Sequence, residues 1–278
     1  MRVVISLLIA FTASIAGDHT QVWSVDQAMT KLQNGNQRFV IGKPNVWDSG
    51  SARRETLTAG QTPYACVITC ADSRVPPEQI FDSGLGELFV IRVAGNVTPV
   101  EVLASADYAV GHFGCPVVVV MGHTKCGAVS AALSDTDFPE PLNTLVNEIR
   151  PSVDACLSKG YTDDEIYDGA IKENARAGAA SLISGSRSIE QAVAAGNCVV
   201  LSAVYDMGTG AVIWQSQTGA VAFNRPVATP AKHVAEAPAP KQPLDERSHK
   251  SVAKTEKSYT DDSSSDKTQS NRKLKHHY

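Results

Sequence analysis

Residues 116–128 read Pro116-Val-Val-Val-Val-Met-Gly-His-Thr-Lys-Cys-Gly-Ala128. Four valines and a methionine in succession leave no polar face. Such a run is typical of a strand buried on both sides in a parallel sheet. It breaks at Gly122, delivers His123 and Cys126, and passes into a helix predicted over Gly127 to Leu133. A buried strand running into a helix is one unit of an α/β sheet. In such sheets, sites gather at the carboxyl ends of strands.

The flanking sequence repeats the unit. Tyr64 to Thr69 is a short apolar run ending at Cys70, and Leu88 to Val93 is another, followed by Ala94-Gly95-Asn96. Val100 to Phe113 places Leu103, Ala106, Val110 and Phe113 at helical spacing. Leu142 to Leu157 and Asp163 to Ile183 read as helices, and Ser188 to Ala195 as a short one ended by Gly196. Cys198 to Tyr205 is a fourth strand. After the turn Asp206 to Gly210, Ala211 to Trp214 pairs back as an antiparallel edge. Upstream, Val25 to Val40 reads as a helix capped by Ser24 and closed by Gly42-Lys43-Pro44. Arg53 to Ala59 forms a short helix before Gly60-Gln61-Thr62-Pro63. The expected fold is α/β. Its mostly parallel sheet has four parallel strands plus an antiparallel edge strand, is flanked by helices, and carries a projecting N-terminal helix.

With 278 residues, 43% of them hydrophobic, the chain can bury a sizeable core. Its net charge of −4 argues neither for nor against a nucleic-acid partner. Met1-Arg2 gives a positive start, Val3 to Ala16 is uncharged and apolar, and Ser14-Ile15-Ala16 sets small residues before Gly17-Asp18. This is the pattern of a secretory signal peptide over 1–16. The run is short of the about 20 residues a membrane span needs; an uncleaved anchor is the alternative. The mature chain is expected to be exported, periplasmic or secreted, with no membrane span. From 226 to 278 the chain is rich in Pro, Ala, Lys, Ser, Asp and His, and ten Lys and Arg face seven Asp and Glu. Too little apolar surface is available there to offset ordering entropy, so a disordered, solvated tail is expected. Weak tethering to an anionic surface is the sharper reading.

Six cysteines are sparse for an exported chain of this size. Cys66, Cys115 and Cys198 border or lie in apolar runs and read as small buried hydrophobes. A Cys66–Cys115 bridge is the alternative, and pairing cannot be read from sequence. Cys70 and Cys126 lie in polar, glycine-containing surroundings. Of the three histidines before the tail, His19, His112 and His123, only His123 has ligand spacing, three residues before Cys126; His112 reads as a packed or capping residue. Cys70, His123 and Cys126 make three good zinc ligands, and three protein ligands plus one open position is the pattern of a catalytic site. Asp72 and Arg74 follow Cys70 with one residue between them. A carboxylate paired with arginine stays ionised and fixed in direction, and can orient a zinc-bound hydroxide.

Cys-Ala-Asp-Ser-Arg-Val-Pro-Pro-Glu (Cys70 to Glu78) and Gly-His-Thr-Lys-Cys-Gly-Ala (Gly122 to Ala128) resemble the two signatures of β-class carbonic anhydrases. The resemblance runs from about Trp23 to Phe223. It takes in Asn34-Gly-Asn-Gln-Arg-Phe39, Gly86-Glu-Leu-Phe-Val-Ile-Arg92, Tyr205-Asp206 and Thr209-Gly210. It implies a catalytic domain over 17–225 and a lyase that reversibly hydrates carbon dioxide to bicarbonate and a proton, by attack of zinc-bound hydroxide. It implies one Zn2+ per subunit on Cys70, His123 and Cys126, with Asp72 and Arg74 as the dyad beside it. By the same resemblance Gln61 hydrogen-bonds substrate, Phe89 and Tyr108 line an aromatic pocket, and Gly127 presents a backbone amide. In the family these pocket residues cross a subunit interface. A dimer or tetramer is therefore expected, with the helix from Ala28 to Phe39 embracing the neighbour.

Val67 stands three residues before Cys70, where bicarbonate-regulated members carry Trp. This departure implies an always-open zinc, with Asp72 held by Arg74 instead of closing onto the metal. The tail has no counterpart in the family pattern. The competing functions are hydrolysis of carbon disulfide or carbonyl sulfide at the same ligand set, and a non-catalytic zinc-binding exported protein.

Overall fold

The computed structural model describes residues 23–134 and 136–215. The signal peptide expected over 1–16, His19 and the tail expected over 226–278 lie outside the described residues. The valine run forms β3 (Val117–His123), the middle of a five-stranded sheet, and all seven of its residues are buried. It lies between β1 (Ala65–Thr69), also fully buried, and β4 (Val199–Tyr205), both parallel to it. Beyond β1 runs the parallel β2 (Leu88–Arg92); beyond β4, the antiparallel β5 (Val212–Trp214) closes the other edge.

Alternation along β3 explains why the run has no polar side. Val117, Val119 and Met121 face one core with Ala65, Val67 and Leu201. Val118 and Val120 face a second core with Cys66, Ile68 and Val200. Burial of each such side chain contributes roughly 1.5–3 kcal/mol. Helices cover both faces, as a parallel sheet requires. The first core receives α1 (Val25–Val40) and Phe81, just after the single turn α3 (Pro77–Ile80). The exposed α2 (Ser51–Leu57) precedes β1. The second core receives α4 (Val100–Gly111), α7 (Asp163–Gly185) and α8 (Arg187–Ala194). A third core, at the carboxyl ends of the strands, joins α5 (Gly127–Leu133) and α6 (Leu142–Ser158) to α7.

The N-terminal helix expected to project keeps one whole face for its own chain. Ala28 and Leu32 are fully buried. A Cβ on Gly35 would lie 1.8 Å from the Phe81 carbonyl oxygen, so only glycine permits this approach. Asn36 Nδ2 donates to the carbonyls of Ile80 (3.2 Å) and Gly210 (2.9 Å), and its Oδ1 accepts from Val212 N (2.9 Å). The Asn34 to Phe39 motif is thus a clamp between α1, α3 and β5. The outer face, with Asp26, Thr30 and Asn34, remains open along a surface groove.

α3 and the 3-10 turn Ala94–Asn96 were not expected from the sequence. Pro77 occupies the first helical position, where its fixed φ suits the turn and its missing N–H costs nothing. All six cysteines are free and buried, which agrees with Cys66, Cys115 and Cys198 as packed hydrophobes rather than a Cys66–Cys115 bridge. Among the described residues no helix is long and apolar enough to cross a membrane.

Candidate metal centre

Three segments converge where the parallel strands end. β1 stops at Thr69, whose Oγ1 donates to the Met121 carbonyl (2.8 Å) and ties it to β3. Cys70 follows at once. His123 is the last residue of β3, and Cys126 caps the start of α5. Between them Lys125 adopts a left-handed φ of 58°, which turns both side chains to the same side. The loop is pinned on all sides. Thr124 N donates to Tyr205 O (3.0 Å), Met207 N to Thr124 Oγ1 (3.0 Å), and Arg74 Nη2 to Lys125 O (3.4 Å).

The Sγ atoms of Cys70 and Cys126 and a ring nitrogen of His123 lie within 4.8 Å of one another, the one such donor cluster found among the described residues. His123 Nδ1 donates to the Thr124 carbonyl (2.9 Å), which fixes the tautomer and turns a lone pair out at Nε2. Among the described residues, buried Nε2 has no nitrogen or oxygen hydrogen-bond partner and lies beside the Cys70 sulfur. A buried acceptor without a partner costs about 1–3 kcal/mol, and a metal ion at this point removes that cost. Tetrahedral zinc with Zn–S about 2.3 Å and Zn–N about 2.0 Å sets its donors roughly 3.5–3.8 Å apart, so the residues present fit zinc.

The thiols are polarised. The hydrogen bond from Cys126, opposed by burial and helped by His123 and the N–H of Gly95 (3.2 Å from Sγ), holds Cys70 well below the ordinary thiol value. Cys126 is pushed up because it keeps the proton it shares with Cys70 and because it is buried. Burial opposes a charge on His123, but its contacts with Cys70 and the Thr124 carbonyl outweigh that and raise its pKa.

Arg74 grips Asp72 with Nε to Oδ1 (2.9 Å) and Nη2 to Oδ2 (2.7 Å), and its backbone N–H also donates to Oδ1 (3.0 Å). The side-chain bond to Arg74 holds the Asp72 carboxyl far below the usual carboxylate range. Asp72 Oδ2 stands 4.0 Å from His123 Nε2, facing the donor cluster. Val67 is fully buried within β1. A Cβ on Gly127 would meet nothing within 4 Å among the described residues, so the space beside its Cα is open.

Gln61, Phe89 and Tyr108 lie elsewhere in the chain. Gln61 precedes β1, at the end opposite Cys70. Gln61 and Tyr108 line a groove of about 560 Å³ with Arg54, Leu85 and His112. Phe89 lies beneath, its ring 6.4 Å from Tyr108. His112 is the cap of α4, its ring stacked 4.7 Å from that of Tyr108.

Sequence reasoning missed four residues around the donors. Arg92 donates to the carbonyls of Cys70 (3.1 Å) and Asp72 (2.6 Å). Gly95 donates to Cys70 Sγ, Asn174 Nδ2 holds the Gly95 carbonyl (2.7 Å), and Tyr167 Oη donates to the Cys126 carbonyl (3.0 Å). The available signal was Asn174, a polar residue inside the apolar stripe of α7.

A carbonic anhydrase family profile matches residues 65–212, which hold all three donors and the dyad. The chain belongs to the β class of carbonic anhydrases. This β-carbonic anhydrase is 36% identical to carbonic anhydrase 2 of Mycobacterium tuberculosis over 197 residues, covering 69% of the chain and 93% of that protein. It is 38% identical to the carbonic anhydrase of Mycolicibacterium smegmatis over the same length, with 69% and 94% covered. A β-carbonic anhydrase from Sordaria macrospora, described as tetrameric, superposes with a TM-score of 0.54 at 28% identity, over 58% of this chain and 84% of that one.

Proposed function

We propose that this enzyme reversibly hydrates carbon dioxide to bicarbonate and a proton, with one zinc ion on Cys70, His123 and Cys126. One observation carries the reading: a buried His123 Nε2 that, among the described residues, meets no nitrogen or oxygen hydrogen-bond partner but two thiol sulfurs, faced by a carboxylate that arginine locks in the ionised form. Zinc held there supplies a Lewis acid that brings a water's pKa toward neutrality and so provides hydroxide as nucleophile. Asp72 Oδ2, which faces the donors, would accept an O–H from a nucleophile bound there and so orient it toward the carbon of carbon dioxide. Arg74, bonded to both carboxylate oxygens, would hold Asp72 in that direction. The open space at the Gly127 Cα would admit a small linear substrate, and the adjoining N–H would give the charge developing on its oxygen a donor. Gln61, Phe89 and Tyr108 complete the pocket of a neighbouring subunit in a dimer or tetramer. The apolar leader from Val3 to Ala16 supports export to the periplasm or the medium.

Stopped-flow hydration of carbon dioxide by zinc-quantified protein tests the reading, with carbonyl sulfide and carbon disulfide assayed in parallel. Zinc near one per chain and hydration that disappears on zinc removal are expected. Protein with neither zinc nor activity overturns the proposal, and turnover of the sulfur gases alone replaces its substrate.

A further inference from the structure

Helix α7 reaches both sulfur donors through the main chain. Tyr167 and Asn174 are seven residues apart, two turns of helix, and so share one face. Between them Ile171 presses on the end of β3: a Cβ on Gly122 would lie 3.3 Å from both Ile171 Cγ2 and its carbonyl oxygen. This close seat fixes the height of the helix over the site. At one end of the face, Tyr167 Oη donates to the carbonyl of Cys126. At the other, Asn174 Nδ2 donates to the carbonyl of Gly95, whose own N–H donates to Cys70 Sγ.

The Asn174 contact is not explained by packing alone. Asn174 is 5% exposed and lies among Ala170, Ile171, Ala175 and Ala179, where an apolar residue would bury at no polar cost. Gly95 needs holding, because it sits at a φ of 67°, with Ile149 Cδ1 2.6 Å from where a Cβ would be. Two thiolates donate much charge to a metal, and an N–H bonded to sulfur withdraws part of it. Such outer contacts set both the affinity and the acidity of a metal site.

We propose that α7 is a strap that sets both thiolate donors together, with Tyr167 and Asn174 as positioning residues for the metal centre. The proposal rests on the metal-centre reading above. It is tested on the full chain with Tyr167→Phe, Asn174→Leu and, as a control on the same helix, Arg176→Ala. Arg176 bonds Glu173 and Gln215 and no group of the site.

Zinc affinity is read by competition with a chromophoric chelator, and the thiolate-to-metal charge-transfer band is read after cobalt substitution. Each of the first two variants is expected to bind zinc about 10–100-fold more weakly, and Asn174→Leu to shift the cobalt band. Arg176→Ala is expected to match wild type in both. Wild-type protein that takes up no metal overturns the metal-centre reading itself. Wild-type affinity and band in folded Tyr167→Phe and Asn174→Leu overturn the strap alone. Equal weakening in Arg176→Ala also overturns it, since the effect is then general loss of stability. Should Asn174→Leu fail to fold, the affinity of Tyr167→Phe, which keeps its ring, decides.

Discussion

Arg74 closes on both carboxylate oxygens of Asp72, at 2.9 and 2.7 Å, while Oδ2 faces His123 Nε2 at 4.0 Å. Direction, rather than charge alone, is what this fork imposes on Asp72. Removing the acceptor in Asp72→Ala is expected to lower kcat/KM by about 10²–10³-fold with zinc content unchanged. Arg74→Lys keeps the charge and loses the planar fork, and is expected to lose about 10-fold or more. Stopped-flow hydration on zinc-quantified protein measures both, and wild-type kinetics in Asp72→Ala would remove the residue from the reaction.

The same bond fixes a pH dependence. Arg74 depresses the folded-state pKa of Asp72, so its contribution to stability is complete above the unfolded carboxylate value of about 3.9 and fades as pH falls toward the folded value. The difference in thermal midpoint between wild type and Asp72→Asn should be flat from pH 5 to 8 and shrink below about pH 4. Calorimetric scans across that range check it, and a difference that varies around pH 6–7 would mean another group is responsible.

The fold could be read because β3 and β1 are buried on both faces, which leaves an unbroken apolar signature, and because α1 begins at the capping Ser24 and stops before Gly42. The donors could be read because Cys70, His123 and Cys126 lie in short segments at strand ends. The helical turn at Pro77 was hidden, since a single turn carries no periodicity. The support of the donors was hidden for another reason. Tyr167 and Asn174 act on main-chain carbonyls 41 and 79 residues away, and a carbonyl has no identity in a sequence. Gln61 illustrates the opposite case: the family pattern names it, yet one chain gives it no metal to serve.

Gly95 has neither the conformation nor the room for a side chain. With φ at 67°, and with Ile149 Cδ1 and Ala128 Cβ 2.6 and 3.1 Å from where a Cβ would stand, Gly95→Ala combines left-handed strain with overpacking. A loss of about 2–4 kcal/mol in unfolding free energy is expected, together with weaker zinc retention, because the N–H to Cys70 Sγ moves with the backbone. Urea denaturation and metal analysis of the folded fraction measure the two effects. A fully stable, fully loaded variant would contradict the geometry.

Removal of the metal should expose a redox hazard. Cys70 and Cys126 are close enough to share a proton, and Cys70 has thiolate character, the form that reacts. Chelator-stripped protein treated with a disulfide oxidant is expected to give up two electrons to it, and the one proton the pair shares, in forming a Cys70–Cys126 bond, and then to refuse zinc until a thiol reductant is added. Zinc-loaded protein should resist the same treatment. Thiol titration and mass spectrometry of the bridged peptide follow the change, and stripped protein that takes zinc back equally well after oxidation would refute it.

Gln61 and Cys70 flank β1, and the strand alone interposes roughly 16 Å between them. If the groove of one subunit completes the metal centre of another, each active site draws on two chains. Cys70→Ser should then abolish the metal centre, and Gln61→Ala should impair the groove while leaving zinc bound. Mixing the two damaged proteins places an intact Gln61 groove against an intact Cys70 centre once in every mixed dimer. Random 1:1 exchange makes half the dimers mixed, each with one whole site of two, so the mixture should recover about a quarter of wild-type activity in a two-fold assembly. Subunit exchange under mild denaturant, followed by stopped-flow assay, measures it. A mixture no more active than the average of its parents would mean that each chain works with its own groove or with none.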